Sequence, residues 1–158
     1  MTCLPAYSSR TLLDELERAH RTFEREERGC GLLMLDLDHF KRVNDRHGHL
    51  AGDHVLIKLA RLLEQSVRTS DRLFRYGGEE FVILTLLPNR DGLVSIAEKL
   101  RRLVEQNIGD PDGHNVSISN GGAMLRPAES VEVWFARADA ALYVAKESGR
   151  NRAIVDPD

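Results

Sequence analysis

Cysteine is scarce in this 158-residue sequence, which has only Cys3 and Cys30. Neither their number nor their spacing suits a disulfide framework or a thiolate metal site, so a reduced, cytoplasmic setting is expected. Cys30 reads as a small packing residue. Excess positive charge is missing too. The 22 Lys and Arg stand against 25 Asp and Glu, a formal net charge of -3, which removes any general drive toward nucleic acid or an anionic membrane. Basic groups that matter must act locally. No apolar run reaches membrane-spanning length, and the opening "MTCLPAYSSR" lacks the apolar stretch of a secretory signal. Repeats, linkers and low-complexity segments are also absent, so one soluble domain over residues 1–158 is expected.

What is present alternates helical and extended patterns. "SSRTLLDELERAHRTFEREERG" spaces Leu12, Leu16, Ala19 and Phe23 as one helical face, with serines to start it, Gly29 to end it and "EREER" as a solvated face. "GLLMLD" predicts a strand buried on both faces with Asp36 at its carboxyl end. "HFKRVNDRHGH" reads as a short helix and turn, and "AGDHVLIKLARLLEQSV" as a long helix with Leu56, Leu59, Ala60, Leu63 and Val67 inward. "RLFRYGGEEFVILTLL" reads as a β-hairpin whose turn is Gly77 and Gly78, because tight hairpin turns demand positive φ. A helix follows with Ile96, Ala97, Leu100, Leu103 and Val104 inward. "NVSISNGGAML" reads as a strand interrupted by Gly121 and Gly122. A final helix puts Trp134, Ala138, Ala141, Leu142 and Ala145 on one face, ahead of a short strand near "RAIV".

The order is helix, strand, helices, hairpin, helix, strand, helix, strand. It predicts an α/β (α+β) fold, a largely antiparallel five-stranded sheet with its helices mostly on one face. In such a sheet the end of "LLMLD" and the bend of "YGGEE" lie on neighbouring strands, so Asp36 and Glu79 converge. Two converging carboxylates without cysteine or paired histidines favour a hard cation, chiefly Mg²⁺ with Mn²⁺ as a substitute. Either acid alone reads first as a solvated turn residue, and it is their combination that points to a cation. His47, His49 and His54 lie close together, but no fourth ligand with suitable spacing accompanies them. Zinc is therefore not expected there, and turn-forming hydrogen bonds are.

"DLDHFKRVND", "GHLAGD", "RYGGEEF" and "ADAALYVAKESGRN", in that order, together resemble the GGDEF family, the catalytic domains of diguanylate cyclases. The resemblance runs from about Leu4 to about Val155. It implies condensation of two GTP into cyclic di-GMP with release of pyrophosphate, on a fold similar to nucleotidyl cyclases and polymerase palms. Each domain would hold one GTP, so a second copy of the chain is the implied partner. No nucleic acid and no membrane contact is expected.

Carried over position by position, the resemblance makes Asp36, the Leu37 carbonyl and Glu79 metal ligands. Glu80 becomes an additional active-site acid or else a solvated turn residue. Guanine recognition maps to Asn44 and Asp53, whose residue types suit the donors on that edge and are also common helix caps. Leu56 would line the base pocket or join the core. The start of the short helix at His39, Phe40 and Lys41 offers N–H groups to phosphate. Lys146 and Arg150 match basic positions near the triphosphate, although cations also suit a helix C-terminus. Arg68 and Asp71 match an RxxD inhibitory motif for the product, or form a surface ion pair.

Three departures qualify the resemblance. In the N-terminal arm only Thr2 and Leu4 match clearly, with Cys3, Ala6 and Tyr7 at altered positions. Asn120 and Gly122 replace apolar residues, which predicts a locally weakened strand. Lys99 stands where a second inhibitory-site arginine sometimes occurs. The rival reading is a catalytically silent GTP or cyclic di-GMP binding module. The intact acids argue for the enzyme, and Asp53 argues against a cyclase for another purine nucleotide.

Overall fold

Eight consecutive buried residues place β1 (Cys30–Leu37) at the centre of the sheet. The computed structural model describes residues 9–157, so the altered arm from Thr2 to Tyr7 lies outside the described residues. Around β1 run β2 (Arg72–Arg75), β3 (Glu80–Leu86), β4 (Ile118–Met124) and β5 (Ala153–Val155), in the order β2-β3-β1-β4-β5. The pairs β2–β3, β3–β1 and β1–β4 are antiparallel, and β5 joins the edge in parallel. The five strands and their mainly antiparallel pairing match the sequence expectation.

Alternate residues of β1 face opposite layers. Leu33, Leu35 and Leu37 pack with Phe81 and Ile83 against α2 (Phe40–His47), α3 (His49–Ser66) and α4 (Arg90–Asn107). Leu32 and Met34 pack with Val82 and Leu84 against α1 (Ser9–Glu26) and α5 (Val131–Glu147). Helices therefore cover both faces, not mostly one. A strand as uniformly apolar as β1 requires that cover on each side.

The α5 stripe is as expected, with Trp134 fully buried and donating from its indole to the Ala123 carbonyl at 2.9 Å. In α4 the deep positions are Leu93, Ala97, Leu100 and Val104, while Ile96 and Leu103 are only partly buried. The first helix ends at Glu26, before Gly29, with Glu27 taking the left-handed conformation and donating its N–H to the Phe23 carbonyl at 2.8 Å. Cys30 is a buried packing residue, and burial pushes its thiol up to about 12.

Strand β4 is not interrupted. All seven of its residues are buried and it pairs on both sides. Asn120 reinforces it, because its amide donates to the Ala97 carbonyl at 2.7 Å and ties the sheet to α4. The glycines answer a packing demand instead of a break, since a Cβ on Gly121 would lie 2.0 Å from the backbone nitrogen of Leu142 in α5.

Candidate active site

The pairing of β1 with β3 sets Asp36 opposite Glu80, and the Leu37 N–H donates to the Glu79 carbonyl at 3.2 Å. Asp36, Glu79 and Glu80 thus meet at one end of the two central strands. From the last turn of α5, Lys146 donates to the Asp36 carboxylate. Asp36 itself is 5 % exposed.

The bend carrying the two glutamates is held from both sides. The N–H groups of Tyr76 and Gly77 donate to the Glu80 carbonyl at 2.9 and 3.3 Å, and Arg75 donates to the carbonyls of Gly77 and Gly78 at 3.3 and 2.7 Å. Tyr76 leans on Phe135 of α5, with ring centroids 5.5 Å apart. Among the described residues the glycines with positive φ are Gly48, Gly113 and Gly149, so Gly77 and Gly78 do not take the conformation expected of them. Four residues, Tyr76 to Glu79, span the gap between the strands, which relaxes the demand a two-residue turn would impose. The glycines provide space. A Cβ on Gly77 would crowd the Glu80 carboxylate at 3.0 Å, and one on Gly78 would project into the open.

Burial pushes the Glu79 carboxyl above the usual carboxylate range, and the Asp36 charge adds to the rise against the opposing pull of Lys146. Glu80 is raised by the same two causes, with a further contribution from Asp139 of α5. Three acids share one neighbouring ammonium. All the donors are oxygen, and such a set fits a hard divalent cation in donor type and charge.

A second carboxylate of the "DLD" stretch, Asp38, organises the surroundings. It is buried and accepts from the hydroxyls of Ser117 and Ser119, both at 2.6 Å, and from the Asn151 N–H at 3.0 Å. Asn151 is in turn bonded to Arg101 and Glu105 of α4 at 2.9 and 3.0 Å. This network holds a strained loop in which Gly149, Arg150 and Asn151 all have positive φ. Arg150 lies in that loop, just beyond the end of α5, and its N–H donates to the Ala145 carbonyl at 3.0 Å. Asp38, Asp139 and Asn151 were not singled out from the sequence; the alternating acids of "DLD" and the "GRN" after the last helix were the available signals.

The packing of α2 on α3 sets Asn44 against Gly52, the residue before Asp53. Neither Asn44 nor Asp53 caps a helix, since the caps are His39 and Gly48. Gly52 makes the approach possible, because a Cβ there would lie 1.8 Å from Asn44 Oδ1. That oxygen is buried without a hydrogen-bond partner among the described residues, and Asp53 is exposed. Leu56 is buried in the core at 5 %, leaving little of it for a ligand. His39 is left-handed (φ 55°) at the start of α2, followed by partly buried Phe40 and exposed Lys41. First-turn N–H groups have no intrahelical acceptor.

Arg68 and Asp71 do not form the surface ion pair that the sequence also allowed. The buried Asp71 accepts from the Arg68 N–H at 2.8 Å and from the Thr85 hydroxyl at 2.7 Å, while Arg68 is exposed. Lys99 is exposed on α4. The expectation of turn-forming bonds from His47 also fails: among the described residues its buried Nε2 has no hydrogen-bond partner, and it faces Asp110 and Asp112.

A family model described as "Diguanylate cyclase, GGDEF domain" matches residues 1–152. Diguanylate cyclase A of Treponema denticola is 37 % identical over 155 residues, covering 96 % of this chain and 42 % of that protein. Diguanylate cyclase DgcZ of Escherichia coli is 36 % identical over 156 residues, covering 98 % of this chain and 52 % of its own length. This chain thus spans about half the length of those relatives. Among solved structures, the GGDEF domain of PA1120 (YfiN or TpbB) from Pseudomonas aeruginosa superposes with a TM-score of 0.90 at 29 % identity, covering 98 % of both chains. The GGDEF domain of DgcB from Caulobacter crescentus, solved in complex with c-di-GMP, gives 0.86 at 32 % identity, covering 94 % of this chain and 90 % of that one.

Proposed function

We propose, because this chain belongs to the GGDEF family of diguanylate cyclase domains, that it condenses two GTP into cyclic di-GMP and releases pyrophosphate. The observation that carries this reading is the meeting of Asp36, Glu79 and Glu80 at the end of β1 and β3, with Lys146 donating to Asp36. Asp36, the Leu37 carbonyl and Glu79 would hold Mg²⁺. When bound, the cation supplies charge neutralisation at the triphosphate and activation of the attacking 3′-hydroxyl.

The chain's own groups supply the rest. Asn44 and Asp53 receive the guanine edge between α2 and α3. N–H groups at His39, Phe40 and Lys41 face the phosphates, and Lys146 and Arg150 offset their charge. Lys146 gives up its bond to Asp36 as nucleotide and cation arrive. Glu80, whose raised carboxyl places it nearer to holding a proton, assists metal binding or proton movement. One domain holds one GTP, so each 3′-hydroxyl attacks the nucleotide of a second copy.

Incubation with GTP and Mg²⁺ followed by product mass tests this directly. A rate per chain that rises with protein concentration supports the two-domain arrangement. Binding of GTP without turnover at any concentration would leave the silent receptor as the better account.

Asp53→Ala is expected to weaken GTP binding by about 10- to 100-fold, the worth of a charge-assisted hydrogen bond, and to erode preference over ATP. Competition titration with the two nucleotides reads both effects. An unchanged preference would remove Asp53 from base recognition.

Arg68 and Asp71 are proposed as an inhibitory site for the product. Arg68→Ala should relieve inhibition by added cyclic di-GMP and leave the uninhibited initial rate unchanged, since the side chain is exposed. Asp71 is the poorer probe because its carboxylate also holds the turn before β2. Coincident inhibition curves for wild type and Arg68→Ala would exclude the arginine.

A further inference from the structure

We propose that His47, Asp110 and Asp112 form a binding site for a divalent transition metal ion, with Zn²⁺ the best match and water completing its shell. His47 ends α2, and the two aspartates lie on the hairpin between α4 and β4, closed by the bridge of Gly109 to Asn115. One ligand atom from each of His47, Asp110 and Asp112 lies within 4.8 Å of the others.

The spacing suits tetrahedral coordination. Zinc bonds of about 2.0–2.2 Å to nitrogen and carboxylate oxygen put neighbouring donors about 3.3–3.6 Å apart. His47 Nε2 is 3.5 Å from Asp110 Oδ2 and 3.6 Å from Asp112 Oδ2. Imidazole with carboxylate is a borderline donor set, unlike the all-oxygen cluster at Asp36.

Three further features favour a ligand over a chance cluster. His47 Nε2 is buried without a hydrogen-bond partner among the described residues, and the side chain is 11 % exposed. Asp110 is oriented from behind, because its Oδ1 accepts the N–H groups of Asp112 and His114, both at 2.9 Å, which leaves Oδ2 turned to His47. Ligating carboxylates are commonly fixed in this way. The group also opens onto a cavity of about 290 Å³ that reaches Asp38 and His39. A metal there would fasten the end of α2 to the hairpin feeding β4. In the reading above, that helix carries Asn44 and the phosphate-facing turn.

A protonated His47 would also pair with the two carboxylates, and Arg46 lies 4.0 Å from Asp112 Oδ2; metal titration separates these cases. The whole chain, in saturating Mg²⁺, is titrated with Zn²⁺ against a chromophoric chelator. We expect one Zn²⁺ per chain, an affinity loss of at least roughly 10- to 100-fold in His47→Gln, and no loss in Glu79→Gln. Zinc at a hundred times its Kd should raise the wild-type melting temperature by roughly 5–10 °C, with no rise in His47→Gln. If His47→Gln does not fold, Asp112→Asn, on the exposed turn, serves in its place. No uptake by wild type overturns the proposal, as does uptake that survives both His47→Gln and Asp112→Asn. Uptake abolished by Glu79→Gln would place the ion at the acids of β3 and overturn it equally.

Discussion

Asp36→Ala and Glu79→Gln should each lower cyclic di-GMP formation by roughly 10³-fold or more, because in the proposed reading several kcal/mol of charge stabilisation at the triphosphate depends on their carboxylates. The two variants should differ in stability. Burial and the Asp36 charge raise the Glu79 carboxyl above its usual range. A carboxyl raised on folding contributes stability that is present below the unfolded pKa and lost as pH climbs through the folded one. At neutral pH Glu79 therefore costs the metal-free domain stability, and Glu79→Gln removes that cost. Its melting temperature without divalent cation should exceed that of wild type, with the gap narrowing in acid. Added Mg²⁺ should then stabilise wild type more than the variant. Asp36→Ala also lifts repulsion from Glu79 and Glu80 but strips Lys146 of its acceptor, so its gain should be smaller. Thermal melts with and without Mg²⁺, alongside product mass, check both variants. Turnover retained by folded Glu79→Gln would remove Glu79 as a ligand, and a lowered melting temperature would refute the electrostatic account.

Local patterning decides which parts of the molecule were legible in the sequence. The meeting of Asp36 with Glu79 was legible because a buried apolar run and a hairpin each end in an acid, and pairing brings those ends together. The α5 stripe was equally plain, since Trp134, Ala138 and Leu142 recur at helical spacing. Partners far away in the chain were not. Asp38 is read as one more acid until β4 and the last loop bring Ser117 and Asn151 to it, from 79 and 113 residues away. His47 misled in the same way, because its neighbours in sequence, His49 and His54, are exposed and its neighbours in space lie on the hairpin before β4. Glycine is ambiguous for a different reason. It marks a turn, a break or a close approach, and composition does not say which. Gly77 and Gly78 suggested positive φ where the loop needed only room.

Gly121 is the third of these cases, and its substitution should produce the largest loss of stability. A Cβ at that position would stand 2.0 Å from the Leu142 nitrogen, 2.5 Å from the Ala138 carbonyl oxygen and 2.5 Å from Leu142 Cα. All three are backbone atoms of α5, so no rotamer change relieves the overlap and the helix must move away from β4. That movement loosens packing around Trp134 and draws Lys146 from Asp36, since both ride on α5. We expect Gly121→Ala to cost about 3–5 kcal/mol, at the upper end for single substitutions and a large part of the stability of an ordinary domain. Gly122→Ala is the internal control. Its Cβ would meet mainly the side-chain tips of Leu33 and Leu93 at 3.2 Å, with the Leu32 carbonyl at 3.3 Å, and should cost only about 1 kcal/mol. Urea unfolding of the two variants measures the difference. If glycine were here to interrupt the strand, both alanines would be tolerated alike or would strengthen it; equal midpoints would therefore return β4 to the broken strand its sequence first suggested.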